Sequence, residues 1–515
     1  MKVYAFEAVG FRGQLVTVEV DIRRGIPAVD IVGLPDGAVK ESRERVRAAV
    51  RNSGYDFPMD RILVNLAPAG IRKAGAGFDL PIALAILHAS GQIPDPGSDI
   101  LALGELELSG TVRNSPGVLP AVAAGLAAGL ESFIVPPANV NEARVLAGAQ
   151  AWPLARLADA AGTLAELRDG LEPRHDCGDH GGTSQPKAET VPDMDISVIR
   201  GQGKVRRALE LAAAGGHHLL LFGPPGGGKT LAARCLPSLL SDMGDDEAIE
   251  ATALHSLAGA LPPGSGLMRR PPFRAPHHGA SAEGIVGGGK AHRPGEISLA
   301  HGGILFLDEA PEFKTDVLQA LREPMETRTI TIARADRSAS YPACFILVVA
   351  CNPCPCGNLG RPGAVCLCSR EEIRRYWRRL GGPFLDRIDL RVPVVPAGMA
   401  DLATPQGEGS LRVRKRVRDA RAIQRQRHRG MPWSLNAHMS VGSIERHCSL
   451  DPDTAGWFSQ TATTMGLSSR ALHGVLKVAR TAADLDASAG IHTAHLAEAL
   501  DYRRYGDEDL YWQTP

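Results

Sequence analysis

Three short runs in the middle of the chain are almost wholly apolar: Leu219-Leu220-Leu221-Phe222, Gly303-Ile304-Leu305-Phe306-Leu307 and Phe345-Ile346-Leu347-Val348-Val349-Ala350-Cys351. Runs this short and this continuous predict strands covered on both faces, as in a parallel sheet packed between helices. Around them the pattern becomes helical. Lys204 to Ala214 reads as a helix closed by Gly215-Gly216. Leu472, Val475, Leu476 and Ala479 recur at helical spacing behind Ser468-Ser469, a natural N-cap, and Val413, Val417, Ala420 and Ile423 do the same farther upstream. Gly170 to Asp193 mixes Gly, Pro, His, Ser and Thr with no apolar period and predicts a linker, while Gly407 to Ser410 predicts a loose hinge. The pattern therefore divides the chain into an N-terminal α/β domain over 1–169, a linker over 170–193, an α/β core with a parallel sheet over 194–397, and a helical lid over 398–515.

Polar chemistry sits at the tip of each run. After the first comes Gly223-Pro224-Pro225-Gly226-Gly227-Gly228-Lys229-Thr230, followed by Leu231-Ala232-Ala233-Arg234, a helix start. A glycine-rich loop between strand and helix lets backbone N–H groups curl around phosphates, with the helix N-terminus adding positive potential. In such a P-loop Lys229 would reach the β- and γ-phosphates of ATP, and the Thr230 hydroxyl would bind Mg²⁺. The second run ends in Asp308-Glu309, the Walker B arrangement. Asp308 would hold the Mg²⁺ shell and Glu309 would polarise an attacking water; the plainer reading is a solvated strand edge. The third run ends at Asn352, either a catalytic polar group or a turn asparagine.

Composition narrows the partners. The 515 residues hold 57 Lys and Arg against 57 Asp and Glu, so any polyanion contact must come from a local patch. No apolar run approaches the roughly 18 residues of a membrane span, and charge comes too soon after Met1 for a signal peptide. Of nine cysteines, five fall within residues 351–368, which suits a reducing cytoplasm and a metal better than scattered disulfides. Cys354-x-Cys356 and Cys366-x-Cys368 flank a turn-rich loop, so four thiolates could close a tetrahedral Zn²⁺ site; free thiols on a loop are the alternative. Between Arg412 and Arg429 stand nine Lys or Arg residues and one acid, Asp419. That basic helical face suits either phosphate contact or plain solvation.

With these pieces in order, the chain resembles the ComM/YifB family of Mg-chelatase-like AAA+ ATPases over essentially its full length. The most specific residues are Phe273-Arg274-Ala275-Pro276-His277-His278, Gly287-Gly288-Gly289, Pro294 to His301, Leu321-Arg322-Glu323-Pro324-Met325-Glu326 and Cys351 to Gly357. The resemblance implies a cytoplasmic, hexameric DNA motor, a branch-migration helicase of recombination or natural transformation. It assigns Asn352 to sensor 1 and Arg387, in Phe384 to Leu390, to an arginine finger acting across a subunit boundary. Arg387 could instead pair with Asp386 or Asp389. Arg470, in the first turn of its helix, would be the sensor 2 arginine, where a phosphate offsets its clash with the helix dipole; an exposed surface arginine is the alternative. Ala251–Gly302 would hold the helix-2 insert and Thr329 to Arg334 a strand of the presensor hairpin, both facing the central pore. His277 and His278 are given a pore or structural role.

The N-terminal part resembles the Lon-protease-like fold, which is also that of ribosomal S5 domain 2, through Leu103 to Val112 and Ile134 to Asn139. Gly77 stands where that fold's serine is expected and Ala121 where its lysine is expected, so proteolysis is not expected and the domain reads as a scaffold or DNA-contact module. The competing function is a chelatase motor subunit that drives Mg²⁺ insertion through a partner protein. Such motors share the ATPase insertions but are expected to lack the N-terminal domain and the cysteine knuckle.

Overall fold

The computed structural model describes residues 1–173, 194–289, 293–334, 337–361, 363–396 and 407–503. Residues 174–193 of the expected linker, and the expected boundary at 397/398, lie outside them. The architecture is mixed α/β followed by helices, the class the resemblance implies.

The N-terminal part is a seven-stranded sheet in the spatial order Ala28–Val32, Arg61–Ala67, Gln14–Arg23, Val3–Glu7, Ile100–Ala102, Ser132–Val135, Gln150–Pro153. Gln14–Arg23 runs antiparallel to both its neighbours, and the other pairs are parallel. In Arg61–Ala67, Ile62, Val64 and Leu66 point into the core and Arg61, Leu63 and Asn65 point away, the two-residue alternation of a half-covered sheet. Helix Asp79–Ala89 is buried almost throughout and is held by its first residue: Asp79 takes a two-pronged ion pair from Arg45, at 2.8 and 3.0 Å. Gly77 lies in the turn Ala76–Phe78, and Ala121 is buried inside helix Val118–Ala127. Neither position has a side chain able to act as nucleophile or base.

A second sheet, entirely parallel, follows in the order Phe273–Arg274, Ile304–Leu307, Ile346–Cys351, Leu219–Phe222, Leu390–Pro393. The three apolar runs of the sequence are its middle strands, and all their residues are buried. Phe222 pairs with Cys351, and Leu307 with Val349, which sets the three polar tips side by side. Leu390–Pro393 closes the far edge, and helix Gly203–Gly215 packs against it.

The two α/β parts share one core. Helix Val118–Ala127 packs on helix Asp245–Ala258, and their apolar cluster runs on from Phe6 and Leu101 to Leu254 and Leu257. Glu142 seals the contact: it accepts from Leu119 N at 2.8 Å, from Asn139 Nδ2 at 2.9 Å and from the Ser256 hydroxyl. Gly117 N also donates to Ser256 Oγ at 2.9 Å. The region expected as a pore insert, Ala251–Gly302, thus begins in this buried docking helix and gives the sheet its edge strand Phe273–Arg274 before it turns into short helices and a hairpin. The presensor hairpin Thr329–Arg334 with Arg337–Pro342 is present; Ile330, Ile332, Ala339 and Tyr341 pack down, and Thr331 and Ala333 face out.

The helical lid starts at Ser410–Arg427. The chain is not loose there. Ser410 is buried, its N–H bonded to Asp195 Oδ2 at 3.0 Å and its hydroxyl 2.7 Å from Ser238 Oγ. Three cations of this helix are spent inside the molecule, while Arg412, Lys415, Arg418 and Arg425 stay exposed. Arg416 pairs with Glu210 and Glu408, Arg427 with Asp484, and Arg421 donates to Ala213 O. For these three arginines the structure gives a use that neither phosphate contact nor plain solvation foresaw, bracing the lid.

Candidate functional site

The first polar tip is the P-loop. Gly223 leaves the strand so close to the backbone of Val394 that a Cβ would sit 2.1 Å from the carbonyl oxygen, which only glycine allows. Gly228, at φ 91°, turns the chain into helix Lys229–Cys235. Lys229 is largely buried. Its Nζ donates to Gly223 O at 2.6 Å, Pro224 O at 3.0 Å and Asn352 Oδ1 at 3.1 Å. Burial pushes its pKa down, against the pull of Cys351, Asp308 and Glu309. The loop residues Gly223, Pro224, Pro225, Gly226, Gly227 and Gly228 and the lysine thus form a cradle around a cation held by neutral oxygens, which a phosphate can displace.

Thr230 Oγ1 donates to Asp308 Oδ2 at 2.8 Å. A hydroxyl and a carboxylate in contact at the foot of a P-loop are the two oxygen donors a magnesium ion needs from the protein. Glu309 follows with φ 51°, a left-handed conformation strained for a residue with a side chain, held by its own N–H on Asp308 Oδ1 at 3.0 Å. The turn swings Glu309 away from Asp308 into the open cleft, where its side chain is half exposed. One contact was not foreseen from the sequence. His278 Nδ1 lies 3.6 Å from Glu309 Oε2, its ring tilted against His277 at 4.1 Å and edge-on to Phe313. This places His278 beside the acid. The two stand on separate segments of the chain, and no spacing links them.

Arg387 and Arg470 do not join this cluster. Arg387 pairs with Glu326 at 2.5 Å and donates to Pro383 O at 2.6 Å; Arg470 pairs with the same Glu326 oxygen at 2.5 Å. The expected competitors for Arg387 are engaged elsewhere, Asp386 with Arg503 at 2.7 Å and Asp389 with His217 at 2.9 Å. Burial and the charge of Arg470 push the Arg387 pKa down, and Glu326 opposes them. Ser468 caps the Arg470 helix by accepting from Ala471 N at 3.2 Å, so Arg470 does sit in its first turn. The chain therefore carries two separate clusters, the loop with Lys229, Thr230, Asp308, Glu309 and Asn352, and the pair of arginines on Glu326.

Directly behind Asn352 the four cysteines close up. Cys354 Sγ lies 3.4 Å from Cys356 Sγ and 3.6 Å from Cys366 Sγ, Cys356 lies 3.7 Å from Cys366, and all four sulfurs including Cys368 fall within 4.8 Å of one another. Thiolates about 2.3 Å from a tetrahedral ion stand roughly 3.8 Å apart, so the set fits a four-sulfur metal site. The backbone N–H of Asn358 pulls the exposed Cys356 thiol down toward the thiolate. The knuckle rests on the P-loop: a Cβ on Gly357 would stand 3.1 Å from Pro225 Cδ. Among the described residues no helix is long and apolar enough to cross a membrane.

Comparison with known proteins agrees with this layout. Residues 195–402 match the family described as magnesium chelatase, subunit ChlI; residues 18–139 match subunit ChlI of Mg-chelatase; residues 407–503 match its C-terminal part. The chain is 42% identical to the competence protein ComM of Haemophilus influenzae over 504 residues, 97% of each chain. It is 41% identical to the uncharacterized protein YifB of Escherichia coli over 508 residues, 97% of this chain and 96% of that one. The magnesium-chelatase 38 kDa subunit of Rhodobacter capsulatus is 30% identical over 185 residues, 32% of this chain and 52% of that one.

Proposed function

The chain belongs to the Mg-chelatase-like AAA+ family that includes YifB and ComM, and on that premise we propose that it is an ATP-hydrolysing ring motor, a hexamer acting on single-stranded or branched DNA. The observation that carries the ATPase part is the convergence of three strand tips on one cleft, with Lys229 on Asn352 and Thr230 on Asp308. In this reading the P-loop amides and Lys229 take the phosphates, and Glu309, steadied by His278, orients the attacking water. Thr230 and Asp308 would hold magnesium, which when bound neutralises charge on the phosphate oxygens. Asn352, already on Lys229, would report the state of the γ-phosphate to the knuckle behind it. Arg387 and Arg470 are the half-site offered to the nucleotide of the next subunit, which is why a ring is needed. Cys354, Cys356, Cys366 and Cys368 are assigned a structural zinc that braces the sensor strand.

The DNA part is supported by likeness to a competence protein along nearly the whole chain. A chelatase motor remains the second reading. The N-terminal domain does not separate the two as expected, because residues 18–139 themselves match a chelatase-described family. What favours the DNA motor is coverage: the chelatase subunit aligns with only 32% of this chain. ATP hydrolysis measured with and without forked and four-way-junction DNA decides between them. The motor reading expects DNA to stimulate turnover and ATP to drive strand movement; ATPase activity indifferent to any DNA, with no DNA binding at low salt, would defeat it.

A further inference from the structure

Helix Arg370–Arg378 leaves the cysteine knuckle directly, with Ser369 and Glu372 forming a capping box at its start. Its inner face is rooted beside the nucleotide site. Ile373, Tyr376 and Trp377 are buried, Trp377 Nε1 donates to Pro353 O at 3.1 Å, and the Trp377 ring meets Phe222 edge-on at 6.0 Å. Its outer face is different. Arg370, Arg374 and Arg378 follow one another at i, i+4 and i+8, with Arg375 alongside, and these four line a shallow groove with one acid, Glu371. Among the described residues, none of Arg370, Arg374 and Arg378 makes an ion pair or a side-chain hydrogen bond, whereas the neighbouring Arg379 is engaged by Glu312 at 3.3 Å. Like charges at this spacing repel and disfavour the helix that carries them. A polyanion laid along the row would reverse the sign.

The loop just before the helix adds a second feature. Val365 and Leu367, apolar residues between the cysteines, are 75% and 88% exposed. Leu367 and Arg370 are three positions apart, so the two lie within about 11 Å of each other. Cations paired with bare apolar side chains suit a strand whose bases are unpaired, with phosphates for the guanidinium forks and base faces for the aliphatic groups. Solvated duplex presents only the first of these.

We propose that the arginine row of helix Arg370–Arg378, together with Val365 and Leu367 of the knuckle, is a contact surface for a single nucleic-acid strand outside the hairpins expected to line the pore. It rests on the DNA-motor reading and gives it a place. The longer basic helix Ser410–Arg427 is a second basic surface: Arg416, Arg421 and Arg427 hold the lid together, and Arg412, Lys415, Arg418 and Arg425 remain exposed. Because Trp377 hangs from Pro353, next to Asn352, a strand held here pulls on the same strand tip that touches Lys229.

The test is fluorescence anisotropy with a labelled single-stranded oligonucleotide, and with a duplex of equal length, across a salt series. It uses the full chain as Glu309→Gln with ATP, alone or combined with Arg370→Ala, Arg374→Ala and Arg378→Ala. Alanine is the best helix former, so the helix should survive the change. The expected result is at least a tenfold loss of single-strand affinity at low salt and a log–log salt slope smaller by about 2, three contacts at roughly 0.7 each. The matching lysine variant should keep the slope, and Leu367→Ser should weaken single-strand binding without altering it. A parent protein that binds no DNA defeats the motor reading itself. A parent that binds, with an alanine variant equal to it in affinity and slope, overturns this inference alone. Light scattering that finds the alanine variant in smaller assemblies than the parent assigns the face to a second copy of the chain and overturns it too.

Discussion

Arg387 and Arg470 end on a single oxygen: each guanidinium lies 2.5 Å from Glu326 Oε1. One arginine comes from the segment behind helix Gly382–Leu385 and the other from the first turn of helix Ser469–Leu485, so core and lid are pinned at this carboxylate. Two like charges this close need the anion between them. Glu326 is also nearly the last residue before the hairpin strand Thr329–Arg334, reached through Arg328 at φ 59°. Movement of the hairpin therefore moves the group that holds both arginines.

If the pair serves a neighbouring subunit, Arg387→Ala should assemble normally and lose about 10³-fold or more in kcat, the usual worth of such a residue. Mixing it with Lys229→Ala subunits should restore part of the activity, since some interfaces then pair an intact Lys229 with an intact Arg387. Glu326→Gln should keep ATP binding but uncouple hydrolysis from DNA. Full turnover by Arg387→Ala alone would remove it from the reaction.

Glu309→Gln should bind ATP and hydrolyse it about 10²- to 10⁴-fold more slowly, the range for loss of a general base. His278→Ala should act through Glu309 and so lower kcat by about tenfold, roughly 1.4 kcal/mol, with KM little changed. A rise in KM without a fall in kcat would mean that His278 binds substrate instead. Lys229→Ala should fail at the earlier step, with no ATP retained in equilibrium dialysis.

Protein purified without chelators should carry about one zinc per chain by elemental analysis. Cys354→Ser, at the buried corner of the knuckle, should lose the metal and loosen the P-loop against which Gly357 rests, seen as weaker ATP binding. Metal-free protein with four titratable thiols and full ATP affinity would leave the knuckle a plain loop.

Acid should release the lid through Asp389. Burial alone would raise its carboxyl pKa, but the hydrogen bond and charge of His217 bring it down to about 2. A depressed carboxylate contributes stability above its unfolded value near 4, and that contribution is lost as pH falls from about 4 to about 2. His217 also bonds Thr481 Oγ1 at 2.8 Å, so the pair ties a strand end of the core to the lid helix. His217→Ala should destabilise the fold and flatten the acid limb of a thermal-melt series over that window. An acid limb identical to the parent would place the pH dependence elsewhere.

The sequence by itself determined the parts whose logic is local. Apolar runs such as Leu219–Phe222 and Ile346–Cys351 can be satisfied only as buried strands, and a glycine loop between strand and helix has one productive shape. Ser468 as a cap and the crowding of four cysteines within a few turns are short-range facts of the same kind. Tertiary structure decided whatever depends on which segments meet. The partner of Arg387 turned out to be Glu326, from a distant motif, and not the adjacent Asp386 or Asp389. His278 came to Glu309, and Glu142 to Ser256, across long stretches of chain. Of the two basic helices, the one richer in cations spends Arg416, Arg421 and Arg427 on internal acids and carbonyls, and the shorter one, which no sequence pattern singled out, leaves its row open. The physical reason is that a charge takes its role from whichever counter-charge lies within a few ångströms, and sequence spacing fixes that neighbour only inside a single helix, strand or turn.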